Sequence, residues 1–148
     1  MITGPAAGSA LMWALGCAAL AAGGALGALL RLRLQERFSR RGVLVANTLA
    51  VLVLGFTLGL ALPHLLSMDD PAEGWAGVAG VLAGSLVSGL CLALGTWSTV
   101  AGQAADAVLA SRWGQAARIW GAHLGLALPA AVVGWGLGLG AHLVLARL

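Results

Sequence analysis

The sequence predicts an all-α integral membrane protein of four transmembrane helices, and three observations carry that prediction. Of its 148 residues 60% are apolar and 9% charged, against roughly 45–50% and about 25% in soluble domains. Mean hydropathy is +0.96, which is more apolar surface than a core of this size can hide from water. The apolar residues are gathered into four runs with the charged residues between them, and each run reaches the ~20 residues a helix needs to cross the hydrocarbon core. A transmembrane barrel is excluded, because its strands alternate over about ten residues and these runs are apolar on every face. The 23 Gly follow no three-residue period and Pro numbers only four, which excludes a collagen-like chain.

The whole chain, 1–148, reads as a single transmembrane domain. The first span covers about residues 10–30. It lacks a basic leader and exceeds the roughly 7–15 apolar residues of a signal peptide, so it is expected to remain as a helix. The second covers 43–62 and stops before Pro63, the third begins near Trp75 and reaches about 109, and the fourth covers 119–145. Small residues recur at helix-contact spacing at Gly23 and Gly27, Gly55 and Gly59, Gly80, Gly84 and Ser88, and Gly121 and Gly125. Such spacing lets backbones approach closely, although a Gly-rich chain also produces it by chance.

The connecting segments set the expected orientation. Arg31, Arg33, Arg37, Arg40 and Arg41 stand with Glu36 after the first span; Asp69, Asp70 and Glu73 stand without any Arg after the second; Arg112 and Arg118 flank the third connection, with Asp106 nearby. The positive-inside rule therefore places the first and third loops in the cytoplasm and both termini outside, with Arg147 as a contrary charge. All eight cations are Arg, scattered between apolar blocks rather than along one face, so they read as topology signals and no nucleic-acid partner is expected. Trp75, Trp113 and Trp120 fit the membrane interface.

No metal-ligand spacing joins His64, His123 or His142 to one another or to Cys17 and Cys91. Singly, histidines in such positions are expected to be satisfied packing or interface residues. The spans hold no carboxylate apart from Asp106 near the end of the third, which argues against a proton-coupled carrier. No nucleophile, base and orienting group stand at recognisable spacing, so an enzyme is not expected.

The polar groups at depth are short and neutral: Asn47, Thr48 and Thr57 in the second span, then Ser85, Ser88, Thr96, Ser98 and Thr99 in the third. The stretch Gly95-Thr96-Trp97-Ser98-Thr99-Val100 sets a Gly and three hydroxyls in an apolar helix. An unwound helix there would expose backbone groups able to hold ions. In a plain helix the same hydroxyls would bond their own carbonyls, and composition by itself favours that alternative. Trp97 offers an electropositive ring edge and an indole N–H to a small anion, or packs against a neighbouring hydroxyl.

Three motifs in order resemble those of the CrcB/Fluc family of fluoride channels, over about three of the four spans. Gly24-Ala-Leu-Gly27-Ala-Leu-Leu-Arg31 is similar to the family's glycine-rich first helix ending in Arg, which marks Gly27 and Arg31 as structural. Gly42-Val-Leu-Val-Ala-Asn47 is similar to its G-T-L-x-x-N segment, and Gly89-Leu-Cys91-Leu-Ala-Leu-Gly95-Thr96-Trp97-Ser98-Thr99-Val100 to G-x-C-G-G-L-T-T-F-S-T-F.

The resemblance implies a third helix interrupted near Gly95 and an antiparallel dimer with a structural sodium ion between subunits, held by the main-chain carbonyls of Leu92 and Gly95. It implies a pore-lining amide at Asn47, and an anion path along Thr96, Trp97, Ser98 and Thr99. The family's two Phe fall on Trp97 and Val100, so the second aromatic is lost, and its usual acid is replaced by Gln103. No Ser, Thr or Tyr occurs from Gly121 to Leu148, where the family carries a hydroxyl track.

The function this implies is passive export of fluoride across the bacterial plasma membrane, giving fluoride resistance. The Arg bias suits a chain of fixed orientation, hence one half of a heterodimer with a homologous subunit inserted the other way, although a homodimer is also possible. The alternatives are a non-conducting structural subunit of such a channel, or a small multidrug-type transporter. The latter needs a carboxylate in the first span, where residues 10–30 have none.

Overall fold

A computed structural model describes residues 5–66 and 75–147. Five α-helices follow in order: α1 (Pro5–Phe38), α2 (Gly42–Leu66), α3 (Trp75–Leu94), α4 (Trp97–Leu109) and α5 (Trp113–Leu145), with a short 3-10 turn at Ser39–Arg41 between α1 and α2. Four helical segments are long and apolar enough to cross a membrane, Ser9–Phe38, Gly42–Pro63, Gly77–Leu109 and Trp113–Leu145, the third made of α3 and α4 together. The acidic connection Asp69, Asp70 and Glu73, and the side chains of His64 and Trp75, lie outside what is described.

Several helix ends differ from expectation. α1 continues through Arg31, Arg33 and Arg37 to Phe38, so these arginines ride on a helix and not on a loop. Pro63 lies inside α2, which runs on to Leu66, and α5 begins at Trp113 and passes through Pro129. Proline is tolerated within spans where neighbouring groups take up the freed backbone partner. The connection from α4 to α5 is short because α4 closes on itself. Ser111 takes a left-handed conformation at φ 57°, its N–H donates to the Val108 carbonyl, and that of Arg112 to the Ala107 carbonyl, which is the pattern of a Schellman cap.

The helices pack most extensively as two pairs, α1 on α3 and α2 on α5, with slighter contacts linking the pairs. Glycine explains both pairings. A Cβ at Gly23 or Gly27 would collide with the carbonyl oxygens of Leu86 or Leu90, and one at Gly89 with that of Leu20. In the other pair Gly55 and Gly59 lie against the Ala131 and Trp135 backbone, and Gly134 and Gly138 against that of Leu52 and Phe56. Side chains removed from the seam let main chains touch, the usual basis of tight packing in lipid. Gly80, Gly84, Gly121 and Gly125 share the spacing but meet nothing within 4 Å in this chain, so they take no part in its two seams.

Little of the chain is buried. The sealed apolar positions are mostly small, such as Ala46, Ala50, Ala104, Ala107 and Ala116, with Leu94 and Val100 the largest fully buried side chains. Leu11, Leu29, Leu54, Leu128 and Val132 are more than half exposed, an apolar exterior that suits hydrocarbon and not water. Among the described residues the buried polar side chains are Asn47 and His123, which lie side by side on α2 and α5.

Candidate functional site

α3 and α4 are separate helices, with Gly95 and Thr96 between them in non-helical conformation. Composition favoured a continuous helix here, and the reason it loses is a single side chain. Asn47, buried on α2, accepts the Thr96 N–H on its Oδ1 at 2.8 Å. In a continuous helix that N–H would bond the carbonyl of Leu92; the amide takes it instead. Thr96 is extended, at φ −136° and ψ 98°, and Gly95 leaves room for the crossing, since a Cβ there would stand 3.1 Å from the Ala50 Cβ. Back-bonding hydroxyls do occur, but on α2: Thr48 donates to the Leu44 carbonyl at 2.8 Å and Thr57 to that of Val53 at 2.9 Å.

Arg31 reaches the break from α1. One of its N–H groups donates to Thr96 Oγ1, and Nη2 donates to Thr99 Oγ1 at 2.8 Å. Guanidinium has only donors, so both hydroxyls accept from it and each keeps its own proton to give elsewhere. Arg31 was expected to be a topology charge and a structural helix end; the structure turns it inward as the cation of this cluster. Among the described residues no carboxylate pairs with it.

The other amide hydrogen-bonding group of Asn47 faces α5. Its Nδ2 lies 3.4 Å from Nδ1 of His123, which is buried. Each of the four spans therefore contributes to one cluster, with Arg31 from α1, Asn47 from α2, Thr96 and Thr99 at and beyond the break, and His123 from α5. With Asn47 Oδ1 already engaged, the groups left to face a ligand are donors.

Trp97, at the first turn of α4 and roughly half exposed, stacks on Trp120 of α5 with ring centroids 5.6 Å apart and planes 20° from parallel. Trp97 sits among hydroxyls expected at depth and Trp120 is expected at the interface; the stack brings the two together at one level. Val100, which the motif resemblance sets against the family's second Phe, is fully buried within the chain. Ser98 is exposed. Leu92 is 73% exposed and, with Gly95, Trp97, Ser88 and Ala50, borders an open cavity of about 310 Å³. Gly27 is part of the α1–α3 seam, against Leu90 and Ala93, one turn before Arg31 on α1.

His123 is buried and bonded, as expected of a satisfied packing histidine; its place beside Asn47, and that of Trp120 against Trp97, are what the sequence analysis does not anticipate. The signal for His123 was present: between Arg118 and His142 it is the one ionisable residue of α5, and an ionisable side chain within a span is a functional candidate by default.

Fold and site together define a multi-pass, all-helical membrane protein with a polar, cationic cluster at a broken helix. The family described as "CrcB-like protein, Camphor Resistance (CrcB)" matches residues 18–135, and the chain belongs to it. That membership points to fluoride-related ion transport. No curated protein sequence matches the chain.

Proposed function

We propose that this chain is a subunit of a fluoride-selective channel that lets the anion leave the bacterial cytoplasm passively, without covalent chemistry. The observation that supports this most is the make-up of the cluster at the break: a guanidinium, two hydroxyls that accept from it, and an amide whose oxygen is already taken. Fluoride is small and holds water strongly, so a path through the bilayer must replace that water with donors. Polarised by Arg31, Thr96 and Thr99 offer their protons, Asn47 offers Nδ2, and Trp97 adds a ring edge. Ser98, exposed beside Trp97, extends the same wall.

The dimer belongs to this reading. The cavity beside Leu92 and Gly95 opens on the outer face of the chain, where an antiparallel subunit would cover it. The carbonyl of Leu92, deprived of its helical donor by Asn47, and that of Gly95 are oxygen ligands of the kind a hard monovalent cation takes, so the residues present fit a sodium ion between subunits. Such an ion supplies positive charge at the centre of the assembly when bound. With Arg31 set aside as a cluster residue, Arg33, Arg37, Arg40 and Arg41 still gather at the end of α1 and the turn after it, a bias that supports a fixed orientation with the first and third loops cytoplasmic, and hence a heterodimer.

A second reading, a structural subunit that passes no ion itself, is favoured by Val100. The position is sealed, so the chain presents only one member of the family's aromatic pair. Fluoride efflux from liposomes, followed with a fluoride electrode and with chloride as the control, separates the readings. Efflux with the chain alone supports a working homodimer, and efflux only with a co-purified homologue supports the heterodimer. Efflux with the homologue that survives disabling every site on this chain supports the structural role. No efflux in any arrangement overturns the proposal.

A further inference from the structure

We propose that His123 is the anion-facing donor contributed by α5, held in one tautomer by Asn47, and that its protonation raises anion passage. The proposal rests on the fluoride reading above. A backbone N–H can only donate, so the Thr96 bond at 2.8 Å assigns Asn47 Oδ1 as the acceptor and leaves Nδ2 toward His123. Nδ2 carries only donors, so His123 Nδ1 must be the acceptor of the 3.4 Å contact. The neutral ring therefore carries its proton on Nε2. α5 has no hydroxyl side chain, and this N–H is its replacement.

Protonation changes the pair in a defined way. An imidazolium donates from both nitrogens, so Nδ1–H then faces the Asn47 Nδ2–H group and the direct contact is lost. Two donors facing each other, one of them charged, are bridged by an acceptor, and a small anion is the acceptor this cluster is built for. The contact is already long for a hydrogen bond, so little has to be broken. The elements packed on α5 are α2 and α4. Their other titratable residues are His64 near the far end of α2 and Asp106 near the turn into α5; α5 itself adds Arg118 and His142, and Arg31 reaches the cluster through Thr96. Among the described residues no carboxylate bonds His123, so an entering anion is the counter-charge of the imidazolium.

The test uses the full chain, with its partner subunit where efflux requires one, in liposomes loaded with sodium fluoride. Efflux is followed from about pH 7.5 to about pH 4.5, through and below the ordinary histidine range, with protein-free liposomes subtracting leakage of hydrogen fluoride. Wild type is expected to speed up as pH falls. His123→Ala should be about tenfold slower near neutral pH, the effect of one lost donor to a desolvated anion, and should show no acceleration in acid. His123→Gln, which can accept from Asn47 and still donate, should restore efflux near neutral pH and show no acceleration in acid. Wild-type rates in His123→Ala, or a wild-type pH profile in His123→Gln, overturn the proposal.

A second readout does not depend on flux. In detergent-solubilised protein labelled with 15N-histidine, the resonances missing from His123→Gln identify His123. They should report the Nε2–H tautomer and shift when sodium fluoride replaces sodium gluconate. An Nδ1–H tautomer, or resonances that fluoride leaves unmoved, overturns the proposal. If wild type passes no fluoride, the channel reading fails while these resonances still decide the role of His123.

Discussion

Replacing Asn47 by leucine removes both bonds that tie the broken helix to α2 and α5. The Thr96 N–H, held at 2.8 Å, loses its acceptor in a region where water does not readily replace it, and His123 Nδ1 loses a weaker donor at 3.4 Å. An orphaned buried group costs about 1–3 kcal/mol, so Asn47→Leu is expected to lose roughly 2–4 kcal/mol, with the longer contact counted at the low end. Asn47→Asp separates that structural part from the anion-facing part. Aspartate keeps an acceptor for Thr96 but puts a negative charge where the amide offered a proton. Two like charges ~4 Å apart repel by about 4 kcal/mol at an effective dielectric of ~20, close to a thousandfold in occupancy. Thermal unfolding in detergent reads the first effect and fluoride efflux the second. Asn47→Leu should melt well below wild type, whereas Asn47→Asp, which keeps the Thr96 bond, should melt above Asn47→Leu yet pass almost no fluoride. An unchanged melting temperature in Asn47→Leu would refute the claim that this amide holds the break, and wild-type efflux in Asn47→Asp would refute its place on the anion path.

Three further outcomes are expected. Gly138→Val should destabilise the α2–α5 seam by about 1–3 kcal/mol or more, because its side chain meets the backbone at Phe56, whereas Gly80→Ala, with nothing near it, should stay within about 0.5 kcal/mol; thermal unfolding in detergent compares them. Arg31→Gln should slow fluoride efflux about tenfold or more by removing a charge-assisted donor pair, and Arg31→Lys should recover only part, since an ammonium cannot fork to both hydroxyls. Reporter fusions to the loops should find the first and third in the cytoplasm in nearly every molecule; equal amounts of both orientations would remove the support for a heterodimer.

Four apolar helices and the family motifs were legible because lipid imposes its demands residue by residue: length, apolar composition and charges at the ends are all local properties. The break at Gly95 was not legible from composition, since Gly and hydroxyl residues serve a continuous helix as well. What decides it is Asn47, almost fifty positions away in the chain, reaching the Thr96 N–H. Glycine spacing had the same limit. Gly23, Gly27, Gly55 and Gly59 meet a neighbouring backbone while Gly80 and Gly121 meet none, and nothing within a helix says which of its faces finds a partner. Gly89, Gly134 and Gly138, which the spacing search did not single out, lie in the seams. Arg31 was read as a topology charge because it follows an apolar run, but α1 continues past it and turns it onto two threonines. The rule for loops was applied to a helical residue.

The interleaved pairing has a consequence for how the chain is made. α1 waits for α3, and α2 waits for α5, which leaves the ribosome after the other four. Until α5 arrives, the glycine face of α2 has only lipid against it, and Asn47 has no imidazole opposite. Helices inserted in order thus cannot mature in order, and a chain released before α5 would hold one finished pair and one unmatched span. Quality control in the membrane has a simple mark to read on such a product: an amide at depth and a backbone groove still open to acyl chains.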